Sequence, residues 1–116
     1  AVAEGLVLGA KSGVDPELMV KAVSGGLARC GILEVRAPRE LDGIFEPGFK
    51  IKLHLKDLGL ALNSGKALGV PLPMTAYINE MFKALVAQGK GEQDHSSLIQ
   101  IVEQMAGVEV RKRKAH

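Results

Sequence analysis

The chain has 116 residues, enough for one domain with a real core, and 47% of them are apolar. Only Phe45, Phe49, Tyr77 and Phe82 are aromatic, so the core must be Leu, Val, Ile, Ala and Met, which suits close-packed helices. Lys and Arg number 15 against 13 for Asp and Glu, and Arg111 to Lys114 supply four of the positives, so the basic balance belongs to the tail and not to the folded body. The lone Cys30 excludes an internal disulfide or a thiolate metal cluster and fits a reducing, cytoplasmic setting. No apolar run reaches transmembrane length, which argues against a membrane partner.

The elements read as helix after helix. Ala1 to Lys11 is helical in pattern from its first residue, with no N-cap, so the sequence is expected to be a piece of a longer protein whose first helix is cut at Ala1. Gly13 stops that helix. Gly5, Gly9 and Gly13 form a GxxxGxxxG series, and glycines there each cost about 1 kcal/mol relative to Ala, so a close packing contact is expected. Asp15 caps a second helix with Pro16 at its first position, ending at Gly25-Gly26. A short helix follows around Leu27 to Val35, then a loop from Ala37 to Gly48. A long helix covers about Phe49 to Leu68 and ends at Gly69. Thr75 to Gln88 is helical. Asp94 caps a last helix through His95 to Ala106, and Val108 to Val110 could form a short strand. The expected architecture is a single all-α domain over residues 1–116, a helical bundle with the long helix at its centre.

The segment PGFKIKLHLKDLGLAL, Pro47 to Leu62, is the most informative. Ile51, Leu55, Leu58 and Leu62 fall on one helix stripe, while Lys52, Lys56 and Asn63 lie along a different side. A Lys56-Asp57 pair among leucines needs a reason, because an unpaired charge removed from water costs several kcal/mol. One reason is a salt bridge at a helix contact. The sharper one is that Lys56 points its ammonium at an anionic ligand. Leu60 occupies the place where an i+4 acid would sit, and Asp57, the next residue, points about 100° away around the helix.

Other motifs constrain by absence. No G-x-G-x-x-G and no P-loop is present. His54, His95 and His116 show no metal-ligand spacing, so no metal site is expected. Asp94-His95-Ser96 resembles a catalytic trio in letters only, because those roles need side chains converging from different segments; a capped helix start is the simpler reading. His54 is read as a solvated or packed helix residue and Cys30 as a small buried hydrophobe. The RKRK tail could track phosphate, but without interleaved aromatics it reads as a solvated, frayed terminus, and no nucleic-acid partner is expected.

The order of these motifs carries a resemblance. PGFKIKLHLKDLGLAL, then ALGVPLP, then DHSSL, with SGVDPELMVKAVSGGLA before them, resembles the C-terminal helical domain of the 3-hydroxyisobutyrate dehydrogenase family of β-hydroxyacid dehydrogenases. The LHLKDL spelling, the VPLP turn and the DHSSL start most resemble its tartronate semialdehyde reductase branch. The resemblance implies an N-terminal nicotinamide-binding Rossmann domain that this sequence lacks. It further implies NAD or NADP as cofactor, bound mainly by that missing domain, a small β-hydroxyacid or semialdehyde as substrate, and a homo-oligomer. The family's general-acid lysine would lie upstream of Ala1, so no catalytic residue falls in this chain and the chain alone is expected to be inactive. Lys56 matches the family's cofactor-binding lysine. Phe49 matches an aromatic near the nicotinamide and substrate, and Asp57 an acidic neighbour that positions Lys56 or reaches the substrate. The different-class alternative is a non-catalytic helical dimerisation module that kept the fold and lost catalysis.

Overall fold

The computed structural model describes residues 1–114, so His116 lies outside the described residues. Those residues form seven α-helices and one 3-10 turn, and no strand. They divide into two compact units, one of Ala1–Phe45 with the segment from Ile99 onward, the other of Glu46–Leu98.

The first unit holds α1 (Val2–Lys11), α2 (Pro16–Ser24), α3 (Gly31–Val35), α4 (Ala37–Leu41) and α7 (Ile99–Ala106). Its core is Leu6, Val7, Leu33, Ala37, Leu41, Ile99 and Val110, an aliphatic set, as the shortage of aromatics requires. The Asp15 carboxylate accepts the Glu17 N–H at 3.0 Å, and Pro16 follows at the first helical position, where its missing donor costs nothing. Two of the three glycines in the series have a structural reason, and the reasons differ. Gly9 lets Met19 of α2 come so close that a Cβ there would overlap its sulfur, and Gly13 takes the left-handed φ of +84° that ends α1. Gly5 has nothing near its Cβ position.

Five expectations are corrected in this unit, the first being Cys30, which is exposed and not buried. The expected loop from Ala37 contains α4: Pro38 sits in its first turn without needing a donor, and burial of Ala37 and Leu41 supplies the stability that so short a helix lacks by itself. The short helix before it starts only at Gly31, because Leu27 is fully exposed and offers no packing to extend it. Val108 to Val110 is not a strand; the Val110 N–H goes to the buried Glu103 carboxylate at 3.1 Å and not to a neighbouring strand. Three of the four basic tail residues are also tied down. Arg111 bonds Glu103 at 2.7 Å and lies over the Phe45 ring, Lys112 pairs with Glu17 at 3.5 Å, and Arg113 donates to the Gly13 carbonyl at 2.6 Å. A buried carboxylate and a cation-accepting ring outcompete water for Arg111, so the segment is docked and not frayed.

The second unit holds α5 (Ile51–Leu68), α6 (Pro73–Ala87) and the 3-10 turn His95–Leu98. The long helix is the expected one, starting two residues late. Pro73 opens α6 at its first turn. Between them Gly69 adopts φ +69°, and Gly65 is buried where an added Cβ would meet Leu72 at 2.8 Å and the Val70 carbonyl at 2.9 Å. That close approach folds the Pro-bracketed turn back on the helix end. Ile51, Phe82 and Leu85 are the buried apolar side chains of this unit. The expected single last helix is split: His95–Leu98 is 3-10, and α7 begins at Ile99.

Candidate functional site

The three residues singled out in the sequence all lie in the second unit. Phe49 precedes α5 in an extended stretch, and its side chain is part-exposed. Lys56 and Asp57 lie on the open side of α5, 63% and 50% exposed, so the charge is not buried as the surrounding leucines suggested. The leucine stripe explains this. Only Ile51 and Gly65 of α5 are fully buried, and the exposed residues include Leu53 and Leu60 as well as Lys56 and Asp57. The expectation that Asp57 is not a partner is also corrected. Its Oδ1 lies 3.4 Å from the Lys56 Nζ, because both flexible side chains can bend across the angle between neighbouring positions. Such an exposed pair is worth only about 0–1 kcal/mol, which leaves the ammonium available to a better anion.

Lys52, one turn earlier, is committed elsewhere. It and Lys50 both pair with Glu92, Lys50 at 2.6 Å, and the two hydrogen bonds hold the Glu92 carboxyl down at about 2. Of Lys50, Lys52 and Lys56, Lys56 therefore has the weakest partner.

The stretch carrying Phe49 is held by Asp94. This aspartate is fully buried. Its Oδ1 accepts the Gly48 N–H at 2.9 Å and the Phe49 N–H at 3.0 Å, and its Oδ2 accepts the Ser96 N–H at 3.1 Å and the Ser96 hydroxyl at 2.5 Å. Burial alone would raise its pKa; the Ser96 hydroxyl and the Phe49, Ser96 and Gly48 N–H groups outweigh that and lower it to about 2. The Phe49 carbonyl accepts from the His95 N–H at 2.8 Å, and Lys50 and Asp94 form an isolated antiparallel bridge. Asp94 is thus the expected cap, of a 3-10 turn, and a clamp on a strip far away in sequence.

Around Phe49 the structure assembles rings that the sequence reading left apart. His54 and His95 lie 5.8 and 6.0 Å from the Phe49 ring centroid, His95 edge-on, and 5.3 Å from each other. His54 also stacks on Phe82 at 4.8 Å. The His54 Nδ1 is buried without a hydrogen-bond partner, and burial lowers the His54 pKa against a smaller raising effect of Asp57, so the ring is neutral at pH 7. Nothing in local spacing links position 49 to position 95; only the HLKD and DHS spellings hinted that both histidines stand beside charged residues. Among the described residues no group of His, Cys, Asp and Glu could hold a metal ion, and no helix is long and apolar enough to cross a membrane.

Comparison with known proteins places these features in context. A family model described as "NAD-binding of NADP-dependent 3-hydroxyisobutyrate dehydrogenase" matches residues 1–102. The chain is 48% identical over 106 residues to 2-hydroxy-3-oxopropionate reductase of Escherichia coli K12, covering 91% of this chain and 36% of that protein. It is 42% identical over 111 residues to 2-(hydroxymethyl)glutarate dehydrogenase of Eubacterium barkeri, covering 95% of this chain and 37% of that one. The crystal structure of a 3-hydroxyisobutyrate dehydrogenase from Salmonella typhimurium superposes with a TM-score of 0.81 at 31% identity, over 86% of this chain and 35% of that chain. The chain thus spans little more than a third of the length of the relatives it matches.

Proposed function

We infer the function from one premise: this chain belongs to the 3-hydroxyisobutyrate dehydrogenase family. The protein that carries it, with a nicotinamide-binding domain alongside, is an NAD(P)-dependent reductase that interconverts tartronate semialdehyde and glycerate. The observation that carries this reading is the 48% identity to the Escherichia coli 2-hydroxy-3-oxopropionate reductase, across nearly the whole chain.

The site geometry supports a role for this chain beside an anionic cofactor. Lys56 presents an exposed ammonium with one weak partner at 3.4 Å, and Leu53 and Leu60, one turn to either side, are themselves exposed. A cation flanked by exposed leucines suits a ligand that is part phosphate and part flat ring. When bound, the nicotinamide supplies the hydride. Lys56 neutralises the cofactor's negative charge or orders its ribose. Asp57 keeps the Lys56 ammonium on the open side until the ligand displaces it. Phe49, clamped by Asp94, puts a ring against the reacting end and keeps water from it. The proton that the carbonyl oxygen takes up comes from a lysine outside this chain. The remaining expectations, a homo-oligomer and a cytoplasmic location, accompany this reading.

The test is a substrate panel with the gene-encoded protein. Glycerate, 3-hydroxyisobutyrate, 2-(hydroxymethyl)glutarate and L-threonate are oxidised with NAD⁺ or NADP⁺, and kcat/KM is read from the appearance of the reduced cofactor. Glycerate is expected to lead by about tenfold or more, some 1.4 kcal/mol of differential transition-state binding. A lead for 2-(hydroxymethyl)glutarate or 3-hydroxyisobutyrate would reassign the substrate within the family. No turnover of any of them, with a folded oligomer, would favour the dimerisation module.

A further inference from the structure

Phe49 belongs to no helix, yet its backbone is fully committed. Its N–H goes to the Asp94 carboxylate at 3.0 Å and its carbonyl receives the His95 N–H at 2.8 Å. The pairing continues on both sides, through Gly48 to the same carboxylate oxygen at 2.9 Å and through the Ile51 N–H to the Gln93 carbonyl at 2.9 Å. A strip of chain before α5 is therefore zipped to the strip before the 3-10 turn. The His95 ring then backs the Phe49 ring edge-on at 6.0 Å, and His54 closes a second side at 5.8 Å. With these contacts made, Phe49 is still 36% exposed, which leaves it accessible to a ligand. A single buried carboxylate serving two backbone donors of one strip and two donors of Ser96 on another fixes their relative position more tightly than separate weak contacts would.

We propose that the Asp94-His95 dipeptide is the mount of Phe49: it holds the Phe49 backbone from both sides and backs its ring, so Asp94 and His95 are positioning residues for the aromatic that borders nicotinamide and substrate. This rests on the placement of Phe49 in the proposed function. A mount acts only through what it holds, so its effect must vanish when the Phe49 ring is gone, whereas a general structural role would persist.

The experiment is a double-mutant cycle in the gene-encoded enzyme, oxidising glycerate well below the melting temperature of each variant. Phe49→Ala alone is expected to lower kcat/KM about tenfold, and Asp94→Asn alone by a similar factor. In the Phe49→Ala background Asp94→Asn should cost less than about twofold more, a strong non-additivity. Multiplicative losses would overturn the mount and leave the reading of Phe49 standing. An unchanged kcat/KM in Phe49→Ala would overturn that reading and the mount with it. Should Asp94→Asn fail to fold, the same cycle is run with His95→Ala, which keeps both backbone bonds and removes the backing ring. The same non-additivity is expected there, and multiplicative losses would again overturn the mount.

Discussion

Removing the Asp94 side chain should be among the most damaging single changes in this chain. Asp94→Ala deprives the Gly48, Phe49 and Ser96 N–H groups of their acceptor at a fully buried position. Each orphaned donor costs about 1–3 kcal/mol, and water entering the vacated space recovers part of it, so a net loss of about 3–4 kcal/mol is expected. The charge supplies a separable share. The carboxyl pKa falls from 3.8 to about 2, which at about 1.4 kcal/mol per unit is worth roughly 2 kcal/mol. Asp94→Asn, which keeps the shape and loses the charge, should therefore cost about 2 kcal/mol. Because the folded-state pKa is the lower one, this stability is complete above the ordinary carboxyl value and is lost as pH falls through about 2. By pH 3 about half of it is gone, so the gap between wild type and Asp94→Asn should narrow to about 1 kcal/mol. Urea denaturation of the protein carrying this chain, from pH 7 down to pH 3, reads both quantities. A loss below about 1 kcal/mol for Asp94→Ala, or a gap that does not narrow in acid, would refute the clamp.

The other expectations concern packing and the docked tail. Gly65→Ala should destabilise by about 1–3 kcal/mol, since its Cβ would press on the Val70 backbone carbonyl at 2.9 Å. Gly9→Ala should cost less, because the atoms in its way are the flexible end of Met19; thermal melts of the two variants give the order. Arg111→Ala takes the ion pair from the buried Glu103 carboxylate and leaves it the Val110 backbone N–H, so about 2 kcal/mol should go, with faster tryptic cleavage at Lys112 and Arg113. A melt within 1 °C of wild type would show that the tail is not docked in solution.

Much of this was legible in the sequence, for local reasons. Helix stops at Gly13 and Gly69 and starts at Asp15-Pro16 depend on residues a few positions apart, so the all-α class and most boundaries could be read directly. Phe49 could be singled out through the family resemblance alone, and Lys56 and Asp57 because a charged pair stands out on an apolar helix. Their exposure could not, since which leucines of α5 are covered depends on what packs against it. The errors share that origin. α4 exists because Ala37 and Leu41 find a core, the tail is docked because Glu103 and Phe45 receive Arg111, and the Phe49 rings meet because Asp94 joins strips 45 residues apart. Tertiary partners decide these, and no short window contains them.

Cofactor affinity of Lys56→Ala, measured by titrating NADH and NADPH into the gene-encoded protein, bears most directly on the role given to this chain. The lost interaction is a hydrogen bond to a charged group, about 1.5–3 kcal/mol, so the dissociation constant should rise by roughly ten- to a hundred-fold. The melting temperature should not move, because Lys56 is 63% exposed and its pair with Asp57 is long at 3.4 Å. A variant that binds both nucleotides as tightly as wild type would contradict the assignment of Lys56 to the cofactor.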